Sequence, residues 1–284
     1  MRSSLRWPNN ARTAVLVSVL LETWADGRSP TYFPRTTPLK AGARDVAGIQ
    51  WSEYGGKEGI WRLMRIMERN KLRATGFCNG LSAERYPDAI SQMVRAGHDI
   101  AAHGYAQSEY LHEMDGPRQR QAIHQTLDVL EEVSGKRPTG WLTPVYGGDA
   151  STPDLLAEAG IKWHCDILDS SSPRIDTRPS GNMVGIPWSE FVDNRVLRSS
   201  PRDYFEVYKG TFDFLHKEEP MGMMHIGIHA HFGGRPLVAA AFHEILQYLR
   251  GFDDVWLTTC GELAEWASAQ DPAALSYKAR FFDL

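Results

Sequence analysis

Two histidines, His229 and His231, stand two residues apart where the apolar stretch Met223–Ile228 gives out, and a Gly-Gly-Arg-Pro turn follows them. On an extended backbone, side chains at i and i+2 point to the same side, so both imidazoles face one space. Imidazole titrates near physiological pH and is a common metal ligand, which suits the pair to proton transfer or metal ligation. Taken alone, the two rings could equally be satisfied by backbone carbonyls. The same arrangement recurs along the chain, however. Ala14–Leu21 ends at Glu22, Arg73–Cys78 at Asn79, and Asp99–Ala102 at His103, with Gln107 just beyond. Gly140–Thr143 ends at Thr143, and Trp163–Ile167 carries Asp166, with Asp169 following. Polar residues scattered by chance would not keep choosing the carboxyl end of an apolar run. The pattern predicts an enzyme with Glu22, His103, His229 and His231 as catalytic groups, and with Trp24, Asn79, Gln107, Thr143, Asp166 and Arg235 contacting substrate.

The elements that must position these residues alternate. Besides the runs already named, Val184–Ile186 and Val255–Thr258 read as strands. Between them, helical periodicity is expected over Gly59–Asn70, Pro87–Ala96, Pro117–Ser134, Thr152–Ala159, Arg202–Lys217, Val238–Arg250 and Gly261–Ala269. Alternation of this kind implies parallel strands with right-handed crossovers, in a doubly wound sheet or a (β/α) barrel. No Gly-rich phosphate turn follows the first strand, which favours the barrel, with its active site at the carboxyl ends of the strands. No internal repeat or linker interrupts the chain, so residues 1–284 are expected to form one domain. One connection stands out: the stretch from Glu22 to Gly56 has little periodicity, contains Pro30, Pro34 and Pro38, and carries Trp24, Tyr32, Phe33, Trp51 and Tyr54. It is expected to close over the pocket or to meet a second copy of the chain in a homo-oligomer.

Composition narrows the class. Lysine and arginine number 31 against 35 acidic residues, a formal charge of −4, which argues against nucleic acid or an anionic membrane as partner. The three cysteines, Cys78, Cys165 and Cys260, lie in or beside apolar runs and read as reduced thiols without a disulfide framework. The stretch from Met1 to Pro8 carries charge but no signal-peptide core, and no apolar run approaches the roughly 20 residues of a membrane helix. A cytoplasmic protein acting on a small molecule is expected.

The motifs resemble those of the polysaccharide deacetylase (NodB-like) superfamily, above all its allantoinase and cyclic imide hydrolase branch. The resemblance spans about residues 12–268 and rests on Tyr54-Gly-Gly-Lys-Glu-Gly-Ile-Trp-Arg-Leu63, Ala74-Thr-Gly-Phe77, Gly97-His-Asp-Ile-Ala-Ala-His-Gly104 and Arg137-Pro-Thr-Gly-Trp-Leu-Thr-Pro144. Trp163-His-Cys-Asp166 and His229-Ala-His-Phe-Gly-Gly-Arg-Pro236 complete it. It implies a distorted (β/α) barrel of seven or eight strands. Metal-dependent members hold zinc with an aspartate after the first strand and two histidines spaced i, i+4. Here Trp24 stands at the aspartate position, Gln107 replaces the second histidine, and Leu142 replaces an arginine. Tryptophan is no ligand and glutamine a poor one, so the usual triad is missing. A zinc could still use Glu22, His103 and one histidine of the pair, but a metal-free site is favoured.

The resemblance implies water attack on an amide or imide carbonyl, with Glu22 as base and His103 aligning the water. His229 or His231 would protonate the departing nitrogen, and Arg235 or turn N–H groups would face the oxyanion. Without a Lewis acid, an activated ring substrate is expected: a cyclic amide, imide or ureide. The alternatives are a metal-dependent deacetylase of a small N-acylated metabolite or sugar, and an inactive binding barrel.

Overall fold

The computed structural model describes residues 5–189, 191–196, 200–219 and 221–282; residues 1–4, the start of the charged N-terminal stretch, lie outside them. The strands are β1 (Thr13–Leu21), β2 (Thr75–Cys78), β3 (Asp99–Ala102), β4 (Gly140–Trp141), β5 (Trp163–Ile167), β6 (Arg174–Asp176), β7 (Met183–Pro187), β8 (Gly222–His229) and β9 (Val255–Thr258). Their order across the sheet is β6-β7-β5-β4-β3-β2-β1-β8, with β9 on β1. β1 runs beside β8 from the Thr13–Gly222 pair to the Leu20–His229 pair. Its other edge is shared, Ser18–Leu21 with β2 and Thr13–Leu16 with β9. No ladder joins β7 to β8 among the described residues, so the curled sheet is a distorted, incomplete (β/α) barrel.

Helices α1 (Val46–Tyr54), α2 (Ile60–Arg69), α3 (Gly80–Arg85), α4 (Pro87–Arg95), α5 (Gly116–Ser134) and α6 (Thr152–Glu158) lie in the first half. α7 (Asp193–Val196), α8 (Pro201–Glu218), α9 (Pro236–Leu249), α10 (Cys260–Ser268) and α11 (Tyr277–Phe281) follow. The ends obey local chemistry: Asp115 caps α5 by accepting from the Arg118 N–H, and Gly135 ends it at φ +75°.

β1 is buried on both faces, as a central parallel strand must be. Its odd residues, Val15, Val17, Val19 and Leu21, pack with Ile60, Leu63 and Leu127 beneath the helices. Its even residues Leu16 and Leu20 join Phe77, Trp163 and Trp188 inside the barrel. Ser18 and Glu22 share that inward parity, and so do His225 and His229 on β8. The polar residues at the strand ends thus converge because a strand alternates.

Two expectations need correction. The sheet is not wholly parallel, because β6 runs antiparallel to β7. The segment from Glu22 to Gly56 is also not all loop: α1 fills its second half and passes through a π turn at Gly55–Gly59 directly into α2. That turn packs backbone to backbone against the turn after β8. A Cβ on Gly59 would stand 1.9 Å from the Ala230 carbonyl oxygen, and one on Gly234 would stand 2.4 Å from Gly59 Cα. Two glycine-rich motifs far apart in sequence therefore form one close contact that no other residue type fits. Gly59→Ala should cost about 3 kcal/mol or more in denaturant unfolding. Gly210→Ala, in open space on α8, should stabilise by about 0.5–1 kcal/mol. Equal effects of the two substitutions would contradict this packing.

Candidate active site

Glu22 follows β1 directly, and its side chain is only 2% exposed. Three imidazoles surround its carboxylate. His103 Nε2 lies 3.4 Å and His229 Nε2 3.6 Å from Oε1, and His231 Nδ1 lies 3.7 Å from Oε2. Only the first approaches hydrogen-bonding distance. Glu22 Oε2 and His231 Nδ1 are buried without a hydrogen-bond partner.

Each ring is oriented from behind. His103 Nδ1–H donates to the Leu142 carbonyl at 2.7 Å, since a carbonyl only accepts. This turns its Nε2 toward Glu22 Oε1. His229 Nδ1–H donates to Asp193 Oδ1 at 2.5 Å, and the His229 backbone N–H donates to Asp193 Oδ2 at 2.8 Å. Asp193 is fully buried at the start of α7. Gly233 makes room for it, because a Cβ there would stand 2.4 Å from Oδ2. His231 has a different environment: its Nε2 hydrogen-bonds the Tyr32 hydroxyl at 2.9 Å. Trp24 and Trp51 pack on the ring edge to face, with centroids 5.2 and 5.0 Å away.

The electrostatics separate the histidines. Burial opposes charge on Glu22, but His229, His103 and His231 together outweigh it and hold the carboxyl at about 2. Burial also opposes charge on His229, yet Asp193 and Glu22 prevail and raise it to about 9. For His231, burial wins over Glu22 and, with help from His229 and Arg235, lowers it to about 3. At neutral pH the centre holds an ion triad, Asp193⁻–His229⁺–Glu22⁻, beside a neutral His231.

Beside the triad lies a cavity of about 300 Å³, lined by Glu22, His103, Gln107, Thr143, Asn194 and His229 together with apolar residues such as Leu20 and Trp188. Gln107 Oε1 and Asn194 Oδ1 are buried without partners. A larger cavity of about 630 Å³ opens at the amino ends of β3 and β5, around Arg73, Asp99 and Lys162, away from these imidazoles.

The other residues expected at the site take varied places. Asn79 accepts from the Thr23 N–H at 2.8 Å and donates to the His103 carbonyl, so it braces the strand ends. Asp166 accepts from the Thr143 N–H at 2.8 Å and hydroxyl at 2.7 Å, beneath the pocket wall. Asp169 is exposed and pairs with Arg174 at 2.7 Å, outside the cluster. Arg235 donates to the carbonyls of His231 and Trp51, each at 3.1 Å, and stacks on Tyr54, which ties the turn to α1 and turns its guanidinium away from the pocket lining. Asp193 and Asn194 went unmarked in the sequence, whereas Tyr32 belongs to the aromatic segment expected to close over the pocket and does line it. Only the need of an imidazole for a carboxylate behind it could have suggested Asp193.

A metal does not fit this centre as folded. Among the described residues, Glu22 and its histidines do not bring three donor atoms within 4.8 Å of one another. The carboxylate lies between the imidazoles instead of beside them, and Trp24 closes one flank of the pair.

Residues 51–164 match the family model for polysaccharide deacetylase. A Helicobacter pylori peptidoglycan deacetylase is 23% identical over 248 residues, covering 75% of this chain and 84% of its own. The structure of a PuuE allantoinase superposes with a TM-score of 0.84 at 29% identity, covering 94% of this chain and 93% of its own. That of a probable polysaccharide deacetylase from Pseudomonas aeruginosa gives 0.83 at 27% identity, covering 94% of each chain.

The ring environments make a direct prediction for nitrogen-15 imidazole spectra at about pH 7. His229 should show both nitrogens protonated and His231 a single neutral tautomer. Asp193→Asn should move the His229 titration down toward its ordinary range. A neutral His229 in the unaltered protein would refute the triad.

Proposed function

We propose that this chain, a hydrolase of the polysaccharide deacetylase (NodB-like) superfamily, opens a small cyclic amide, imide or ureide by adding water to a ring carbonyl. The observation that carries this reading is the pairing of two amide carbonyl oxygens without partners, Gln107 Oε1 and Asn194 Oδ1, with the Glu22–His229 couple in one small pocket. A buried polar group without a partner costs about 1–3 kcal/mol, a cost a matching ligand removes. A ring imide or ureide presents carbonyl and N–H groups side by side, and a primary amide matches such an edge. The cavity is at the small end of ligand pockets, which suits a single ring. The name of the allantoinase structure points to the same substrate class.

The chemistry follows from the hydrogen bonds. Glu22 is the acceptor for a proton of a water standing beside the Glu22–His103 pair in the pocket, and the lone pair of that water is directed at the substrate carbonyl while His103 helps to place it. His229 carries the proton that the departing ring nitrogen needs. His231 is the poorer donor: burial keeps it neutral and Tyr32 occupies its outer nitrogen. At about 2, Glu22 is a weak base in the resting site. The largest influence lowering it is the charge of His229, so its basicity recovers as His229 gives up its proton. Proton loss at one end of the couple thus assists proton uptake at the other. No step requires a metal at Glu22.

A hydrolysis screen of succinimide, glutarimide, hydantoin and allantoin against N-acetylglucosamine oligomers tests the substrate class. Ring opening should dominate, and Glu22→Gln should lower kcat by about 10²–10⁴-fold. Deacetylation of the sugars without ring opening would sink the reading.

The pH dependence of kcat/KM supplies a separate test. Glu22 is ionised above about 2, and His229 is protonated below about 9, so the profile should be flat between those limits and fall as pH rises through the upper one. Asp193→Asn removes the strongest influence raising His229 and should shift the alkaline limb to lower pH. An unmoved limb would exclude His229 as the proton donor.

A further inference from the structure

Inside the barrel, four residues before Glu22 and four before His229, lies a second polar group. Ser18 of β1 and His225 of β8 point inward with the same parity, about 13 Å deeper than the proposed centre at ~3.3 Å per residue. Cys165 of β5 and Cys260, the first residue of α10, meet them there. Both thiols are fully buried, and His225 is 5% exposed. One donor atom each of Cys165, His225 and Cys260 lies within 4.8 Å of the other two. The reaction argued above uses none of them.

We propose that Cys165, Cys260 and His225 form a metal site for one zinc ion or a comparable thiophilic cation, with the Ser18 hydroxyl at the fourth corner. Bond lengths of about 2.3 Å to sulfur and about 2.0 Å to nitrogen place tetrahedral S and N donors roughly 3.6 Å apart. Here Cys260 Sγ is 3.8 Å from His225 Nε2 and 3.7 Å from Ser18 Oγ. Ser18 Oγ is 2.8 Å from His225 Nε2, a hydrogen bond that would lengthen by roughly half an ångström on ligation.

The ring is presented as a ligand. His225 Nδ1–H donates to the Pro187 carbonyl at 3.0 Å, which leaves the Nε2 lone pair for the cluster. A hydrogen bond from the far nitrogen to a carbonyl is how ligating histidines are usually held. Trp188 packs edge to face on the ring at 4.5 Å and fixes its plane.

Charge favours occupation. A divalent ion with two thiolates is neutral overall, the one ionic state that a closed apolar interior accepts at little cost. Ligation requires both sulfurs as thiolates, so uptake strengthens as pH rises. The chain from β5, β8 and the β9–α10 turn meets at this one point. The ion would therefore tie the last strand and helix to the middle of the sheet, which makes the site structural.

The test is metal content and spectroscopy on the full chain. Protein refolded with zinc chloride and dialysed against chelator should retain about one zinc per chain. Glu22→Gln should retain the same amount, whereas Cys165→Ser and Cys260→Ser should lose it at least tenfold. Cobalt chloride in place of zinc should give the unaltered protein a thiolate-to-cobalt charge-transfer band, a readout that does not depend on any variant folding. Retained metal without that band, or a Cys165–Cys260 disulfide in freshly purified protein, would overturn the proposal.

Discussion

A carboxylate sealed at the end of a central strand is tolerable only if opposite charge is sealed in with it. Glu22 meets this constraint through His229, and His229 through Asp193. Removing one member of a buried ionic set costs about 3–5 kcal/mol, because the remainder is left uncompensated. Much of the surrounding architecture serves this set. Gly233 lacks a side chain so that Asp193 can reach the His229 backbone and ring, and α7 begins at Asp193. β8 pairs with β1 along its length, so that Leu20 lies beside His229 and the two charged ends emerge together.

The same constraint explains why the histidine pair, so similar in sequence, divides its labour. His229 and His231 share a side of the chain and differ only in what lies behind them. A buried carboxylate backs His229, while a tyrosine hydroxyl and two indoles back His231. In a medium of low polarity the first ring keeps its proton and the second loses it. The protein thus obtains a charged ring facing the pocket and a neutral ring as an anchor. Tyr32 and α1 fasten on that anchor, and Arg235 fastens the turn from outside.

The strands were legible because alternation of apolar runs is a strong signal, and eight expected runs coincide with β1–β5 and β7–β9 to within a few residues. Glu22, His103, His229 and His231 were legible for the same reason: strand parity places them in one space. Asp193 was not, because its importance comes from a contact across 36 residues that no local pattern announces. Arg235 was misjudged because a guanidinium beside two histidines suggests an anion, whereas the aromatic rings of Tyr54 and Trp51 claimed it. α1 was hidden because its apolar residues follow no helical stripe; tertiary contact with the glycine turn, more than its own periodicity, holds it in place.

Parity also accounts for two polar layers in one barrel. An inward-facing position recurs every second residue, so a barrel strand offers several levels that its neighbours must fill consistently. Leu16 and Leu20 fill theirs with hydrocarbon among Phe77, Trp163 and Trp188. Ser18 and Glu22 do not, and in both cases β8 answers with a histidine at the matching depth, His225 and His229. A serine beside one histidine needs only a hydrogen bond, so thiols can complete that level and it can remain neutral. A carboxylate beside the other needs a proton kept on the ring, and that requires a further carboxylate. The deeper level is therefore suited to a soft cation and the upper one to moving protons. The leucine and aromatic layer between them keeps the two chemistries apart.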